Sequence, residues 1–155
     1  MARKRIAGAA MAAGAALRPG PTDQVKYEPA ARPQPHAKVV LVVEDDDDTR
    51  ELIVHALGAE YTVYAAVHGK MALAMLRQIP RPDLVLSDIM LPGMDGLSLA
   101  KTLRADPDLS SIPLVFLSGR GAMDAVDAIN VGARLYIPKP FSVKELLKKV
   151  QNIVR

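Results

Sequence analysis

Four short apolar runs in this chain end on side chains able to do chemistry together. Val39-Val40-Leu41-Val42-Val43 leads into Glu44-Asp45, Leu84-Val85-Leu86-Ser87 into Asp88, Leu114-Val115-Phe116-Leu117 into Ser118, and Leu135-Tyr136-Ile137-Pro138 into Lys139. If these runs are parallel strands of one sheet, their carboxyl ends lie side by side and residues distant in sequence meet in one crevice. Three acids, a hydroxyl and an amine would then share a site. Clustered carboxylates raise one another's pKa unless something offsets the repulsion, so such a crevice calls for positive charge.

The elements that must position these residues follow from the pattern. After the first run, Asp48 to Leu57 carries Leu52, Ile53, Ala56 and Leu57 at helical spacing, with Asp47 or Asp48 able to cap the start. Thr62 to Ala66 reads as a β-branched second strand, followed by a helical stretch with Ala72, Leu73 and Leu76. Arg81-Pro82-Asp83 turns into the third strand, and Pro92-Gly93-Met94-Asp95-Gly96 is a loop before Leu99, Ala100 and Leu103 recur at helical spacing. Here Asp95 suits a helix cap. A helix from Ala122 to Asn130 is closed by Gly132, and Ser142-Val143-Lys144-Glu145 is a capping box that opens a last helix bearing Leu146, Leu147, Val150 and Ile153. Strand and helix alternate five times. Because such crossovers are right-handed, the expected product is an α/β fold: a doubly wound, flavodoxin-like parallel sheet of five strands with helices on both faces.

Composition fits one such domain with an appendage. Of 155 residues, half are hydrophobic, and the apolar content is aliphatic, with no Trp and two Phe, as buried parallel strands require. The absence of cysteine excludes disulfides, thiolate metal sites and a cysteine nucleophile, and is compatible with a reducing cytoplasm. The net charge of +3 is unevenly spread: residues 1–38 hold seven Lys/Arg against two acids, so the rest is net negative. No nucleic-acid recognition motif accompanies the basic stretch, which speaks against a nucleic-acid partner. Residues 1–37, Ala- and Gly-rich behind Arg3-Lys4-Arg5 and then studded with Pro19, Pro21, Pro29, Pro33 and Pro35, are expected to be a disordered tail, with the folded part starting near Ala37. The stretch Ile6 to Leu17 lacks the Leu-rich character of a signal peptide, and no run reaches the length of a membrane span.

Residues 38–155 resemble the receiver domain of two-component response regulators. The resemblance rests on Glu44-Asp45 after the first strand, on Asp88-Ile89-Met90-Leu91-Pro92-Gly93-Met94-Asp95-Gly96, on Ser118-Gly119, and on Tyr136-Ile137-Pro138-Lys139-Pro140-Phe141, in that order and on those strand ends. It implies that Asp88 accepts a phosphoryl group from a sensor histidine kinase or a histidine phosphotransfer protein. A hard ion, Mg²⁺ or Mn²⁺, would offset the carboxylates, with Asp45 and Asp88 as ligands, Met90 through its backbone carbonyl, and Glu44 through a water. Lys139 would balance phosphoryl charge, and the bond before Pro140 would be cis. Ser118 would donate its hydroxyl to the bound phosphoryl group, and Tyr136 would turn into the space it vacates. The signal would be a changed surface on the helix after Ser118, the fifth strand and the last helix, open to a downstream protein target or to a second copy.

Departures and rivals are specific. The first acidic position is Glu rather than Asp and the hydroxyl position is Ser rather than Thr, while Gly119-Arg120-Gly121 brings a cation near the expected phosphoryl mouth, where it would alter the lifetime of the phosphorylated state. With Arg155 soon after the fifth helix, a stand-alone, cytoplasmic regulator is expected. The rival from another class is a haloacid-dehalogenase-type phosphatase using Asp45 and Asp47, since Asp45-Asp46-Asp47-Asp48-Thr49 contains D-x-D-x-T. A third reading, a binding module that keeps only the fold, predicts no Mg²⁺ binding.

Overall fold

A computed structural model describes residues 27–30 and 37–155. The elements run β1 (Val39–Val43), α1 (Asp47–Leu57), β2 (Thr62–Ala66), α2 (Gly69–Leu76), β3 (Leu84–Asp88), α3 (Gly96–Ala105), β4 (Leu114–Ser118), α4 (Ala122–Asn130), β5 (Leu135–Pro138) and α5 (Val143–Ile153). All strand pairs are parallel, in the order β2-β1-β3-β4-β5. The expected doubly wound sheet is therefore present.

Period-two alternation divides the core between the two faces of the sheet. In β1, Leu41 and Val43 face a cluster with Met71 and Met75 of α2, Leu99 and Leu103 of α3, and Ala128 of α4. Val40 and Val42 face the other way, onto Ile53 and Leu57 of α1 and Leu146 and Val150 of α5. Each such fully buried Leu or Ile contributes about 1.5–3 kcal/mol. Leu52, expected on the inner stripe of α1, is exposed, and Asp46 rather than Asp47 or Asp48 caps that helix by accepting from the Thr49 N–H. Asp95 caps α3, as expected, and Ser142 caps α5. Among the described residues no helix is long and apolar enough to cross a membrane.

One part of the stretch expected to be tail is packed. Tyr27 is buried in the α2–α3 cluster, and the Ala30 N–H donates to the Val63 carbonyl of β2. The expected start of the folded chain near Ala37 misses this contact, because a lone tyrosine among prolines carries no periodic signal. For residues 1–26 and 31–36 the expectation of disorder lies outside the described residues.

The topology creates the crevice. The chain enters at β1, adds β2 on one side, then crosses to β3 on the other, so the carboxyl ends of β1 and β3 flank the point where the winding reverses. Glu44 and Asp88 stand at those two ends.

Candidate functional site

The ends of β1, β3 and β5 deliver their side chains to that crevice. Just past β1, Glu44 is tied down by its N–H to the Ala66 carbonyl at 3.0 Å, and only 1 % of it is exposed. Asp88 is the last residue of β3, 7 % exposed, and its Oδ1 accepts the Met90 N–H at 3.2 Å. Lys139, past β5, donates from Nζ to Asp88 Oδ2 at 2.8 Å and to Glu44 Oε1 at 3.0 Å. The Lys139–Pro140 bond is cis.

Charge explains why these groups converge. Burial pushes the Glu44 carboxyl above its ordinary pKa, helped by the nearby charge of Asp88 and opposed by hydrogen bonds from Lys139 and the Asp46 N–H. For Lys139, burial acts to lower the pKa, but the hydrogen bonds to Asp88 and Glu44 outweigh it and hold the ammonium above its usual value. Glu44, Asp45 and Asp88 each bring one carboxylate oxygen within 4.8 Å of the others. Three carboxylates against one ammonium leave two negative charges, the charge a divalent cation would cancel, and an all-oxygen donor set suits a hard ion. Glu44, Asp45 and Asp88 thus fit the expected metal, with Asp45 on the exposed side of the cluster.

The remaining expected residues take distinct positions. Met90 turns its side chain to solvent. Tyr136 packs half-buried against the core and donates its hydroxyl toward the Ser118 and Gly121 carbonyls at 3.4 and 3.3 Å. Ser118 is buried at the end of β4, beside the Leu117–Asp88 pair, but its hydroxyl donates to the Asp124 carboxylate on α4. Arg120, expected at the phosphoryl mouth, also goes to Asp124, at 2.6 Å from Nη2 and 2.9 Å from Nε. Asp47 is paired with Arg50 and stands outside the carboxylate cluster, so the Asp45–Asp47 phosphatase pair is not assembled.

Three participants were not visible in the sequence. Asp124 is a fully buried carboxylate, yet within the α4 pattern it reads as a solvent-facing acid of the first turn. Arg50 reaches back from α1 to donate to the Glu44 and Asp45 carbonyls at 2.9 and 3.4 Å, pinning the loop that carries both acids. His68 caps α2 through Nδ1, which accepts the Met71 N–H. An arginine five residues past an acidic pair was the only available hint of the second.

Comparison with known proteins places this arrangement. Residues 40–151 match the family model described as response regulator receiver domain. The DNA-binding response regulator MtrA of Mycolicibacterium smegmatis is 40 % identical over 118 residues, which are 75 % of this chain and 50 % of MtrA, so the chain spans about half the length of the curated relatives it matches. A putative response regulator from Chloroflexus aurantiacus superposes with a TM-score of 0.71 at 35 % identity, covering 76 % of this chain and 98 % of that one. The receiver domain of sensor histidine kinase PA1611 from Pseudomonas aeruginosa, described with a magnesium ion coordinated in its active-site cleft, gives 0.70 at 27 % identity, covering 76 % and 98 %. The phosphatase alternative finds no support in these matches. With a family model covering well over half of the chain and the fold in agreement, the chain belongs to the response regulator receiver domain family.

Proposed function

We propose that residues 38–155 are a phosphorylation-dependent switch in which Asp88 takes a phosphoryl group from a phosphohistidine on a sensor kinase or phosphotransfer protein. The observation that carries this is the Asp88 carboxylate at the sheet's reversal point, bonded to Lys139 and clustered with Glu44 and Asp45. A carboxylate oxygen of Asp88 attacks phosphorus, the phosphorus–nitrogen bond to the donor imidazole breaks, and the imidazole leaves with the electron pair. Asp45 and Asp88, with the Met90 carbonyl and with Glu44 through a water, would hold Mg²⁺ or Mn²⁺, which would supply charge neutralisation for the incoming oxyanion. The magnesium described in the PA1611 receiver domain supports that assignment.

This chain's own residues do the rest. Lys139 turns its ammonium from Glu44 and Asp88 onto a phosphoryl oxygen, and Arg50 keeps the Glu44-Asp45 backbone in place. Once formed, the acyl phosphate adds roughly −1.5 to −2 charge, enough to draw the Ser118 hydroxyl inward. Tyr136 follows, since its hydroxyl rests on the carbonyls of the Ser118–Gly121 loop. The output face lies on α4, β5 and α5, where Met123, Val126 and Ile129 form an exposed apolar stripe suited to a protein target or a second copy. The switch works in the cytoplasm, where ATP charges the donor kinase. MtrA is a DNA-binding regulator, so the expectations of a stand-alone protein and of no nucleic-acid partner lose their support.

The test is incubation of the full chain with acetyl phosphate, with and without Mg²⁺, read by phosphate-affinity electrophoresis and by mapping the modified peptide. Mg²⁺-dependent, base-labile modification that disappears in Asp88→Asn is expected. Modification that persists in that variant overturns the assignment.

A further inference from the structure

Asp124 is the one fully buried carboxylate of the described residues that the phosphotransfer chemistry leaves unused, and all its hydrogen-bond donors come from the loop that carries the switch. The Ser118 hydroxyl donates to Oδ2, the Arg120 N–H reaches Oδ2 at 3.3 Å, and the Arg120 guanidinium holds Oδ1 at 2.9 Å from Nε and 2.6 Å from Nη2. Asp124 lies in the first turn of α4, whose N-cap, Gly121, provides no side-chain cap. The beginning of that helix is therefore fastened to β4 through Asp124 rather than through a capping residue of its own.

A serine hydroxyl has one proton to give. If it is given to Asp124 it is not given to a phosphoryl group on Asp88, so the two acceptors compete. We propose that Asp124 is a resting-state latch: it holds the Ser118 hydroxyl away from the acceptor site, sets the threshold for switching, and passes the release of that hydroxyl to α4. This rests on the switch reading of Ser118 given above. When the hydroxyl leaves, Asp124 keeps only the Arg120 contacts, and a buried carboxylate short of a donor favours repacking of the helix start. Met123, Val126 and Ile129 ride on that helix. Asp124 does not touch the reacting atoms, so it is a positioning residue.

Binding of beryllofluoride, a stable mimic of the phosphoryl group, to the full chain in Mg²⁺ tests the latch, read by ¹⁹F NMR. Asp124→Ala frees the hydroxyl, and the apparent affinity is expected to rise about tenfold, the lower end of what a hydrogen bond to a charged group is worth. Asp124→Asn keeps the shape and a weaker, neutral acceptor, so a smaller rise of several-fold is expected. In a Ser118→Ala background neither substitution should change affinity, a dependence that a purely structural role would not show. Should both Asp124 variants fail to fold, Arg120→Ala carries the test with the opposite sign: the carboxylate, left with fewer donors, grips Ser118 harder and affinity falls. If the wild type binds beryllofluoride and these variants bind unchanged or in the opposite direction, the latch is wrong and the switch stands. If the wild type binds none, or Asp88→Asn binds as well, the switch reading falls and the latch with it.

Discussion

Replacing Gly96 with alanine should cost more than any other single methyl group added near the site. A Cβ at Gly96 would stand 2.2 Å from the Asp88 carbonyl oxygen, 2.8 Å from the Ile89 Cα and 3.1 Å from the Asp88 carbonyl carbon. Ordinary non-bonded contact begins about 1 Å further out than the first of these. All three neighbours are backbone, and the Asp88 carbonyl is additionally held by the Ser87 hydroxyl at 2.8 Å. Relief must come from α3 backing away by about 1 Å, which breaks the 2.8 Å bond from the Gly96 N–H to the Ile89 carbonyl. Overpacking of this kind costs about 1–3 kcal/mol and the lost hydrogen bond about 1 kcal/mol, so a loss near 3 kcal/mol is expected. In a domain whose whole stability is of order 5–15 kcal/mol, that lowers the melting temperature by roughly 10 °C. The Asp88 backbone moves with the loop, and a misplacement of about 1 Å costs on the order of 100-fold in rate, so phosphorylation by acetyl phosphate should slow by that factor in the folded fraction. Gly93→Ala is the control: its φ of 75° strains an alanine by about 1–2 kcal/mol, but nothing lies within 4 Å of the new methyl. Thermal and urea unfolding of the two variants decide the matter. A Gly96→Ala protein that melts with the wild type, or a Gly93→Ala protein that loses more, refutes the steric reasoning.

Three further outcomes follow from the charges and the packing. Lys139→Met leaves Glu44 and Asp88 without their ammonium, at a cost of about 3 kcal/mol in metal-free protein; Mg²⁺ should narrow the gap to wild type in melting experiments, and a gap that widens with Mg²⁺ contradicts the shared role of amine and metal. Because burial raises the folded-state pKa of Glu44 above 4.5, the folded chain binds its proton more readily than the unfolded chain does. The stability Glu44 confers relative to Glu44→Gln is therefore complete below pH 4.5 and is lost as pH rises through the raised value; metal-free urea midpoints of both proteins check this, and an advantage that grows with pH has the wrong sign. The Tyr27 hydroxyl is buried without a partner among the described residues, so Tyr27→Phe should be neutral or stabilising while Tyr27→Ala loses about 3 kcal/mol in denaturant unfolding; equal effects would mean that Tyr27 contributes no packing.

The strand ends were legible because two simple signals coincide there. A run such as Val39–Val43 is buried on both faces and so is apolar throughout, which makes the first polar residue after it stand out. The same logic singled out Asp88, Ser118 and Lys139; parallel pairing brings Asp88 and Lys139 to Glu44, while the Ser118 hydroxyl turns to Asp124. Helical participants lacked such a frame. Asp124 sits where an amphipathic helix ordinarily faces water, and only the tertiary fold shows that β4 and Arg120 close over it. Arg50 is one of many arginines able to lie on a helix surface, and its contact with the Glu44 and Asp45 carbonyls depends on the turn of the β1–α1 loop. Tyr27 is a matter of reach: a residue separated from its neighbours in the core by a proline-rich stretch has no local pattern to betray it.

Lys139 is 95 residues from Glu44 and 51 from Asp88, and it directly follows the last strand of the sheet. During synthesis the acceptor aspartate and its acidic neighbours emerge well before the amine that balances them, and long-range parallel pairing is among the slower events of folding. A sheet lacking its last strand would bring the three carboxylates together without the ammonium that faces two of them. The crevice gains its balancing charge only when the chain just past the final strand docks beside β1 and β3.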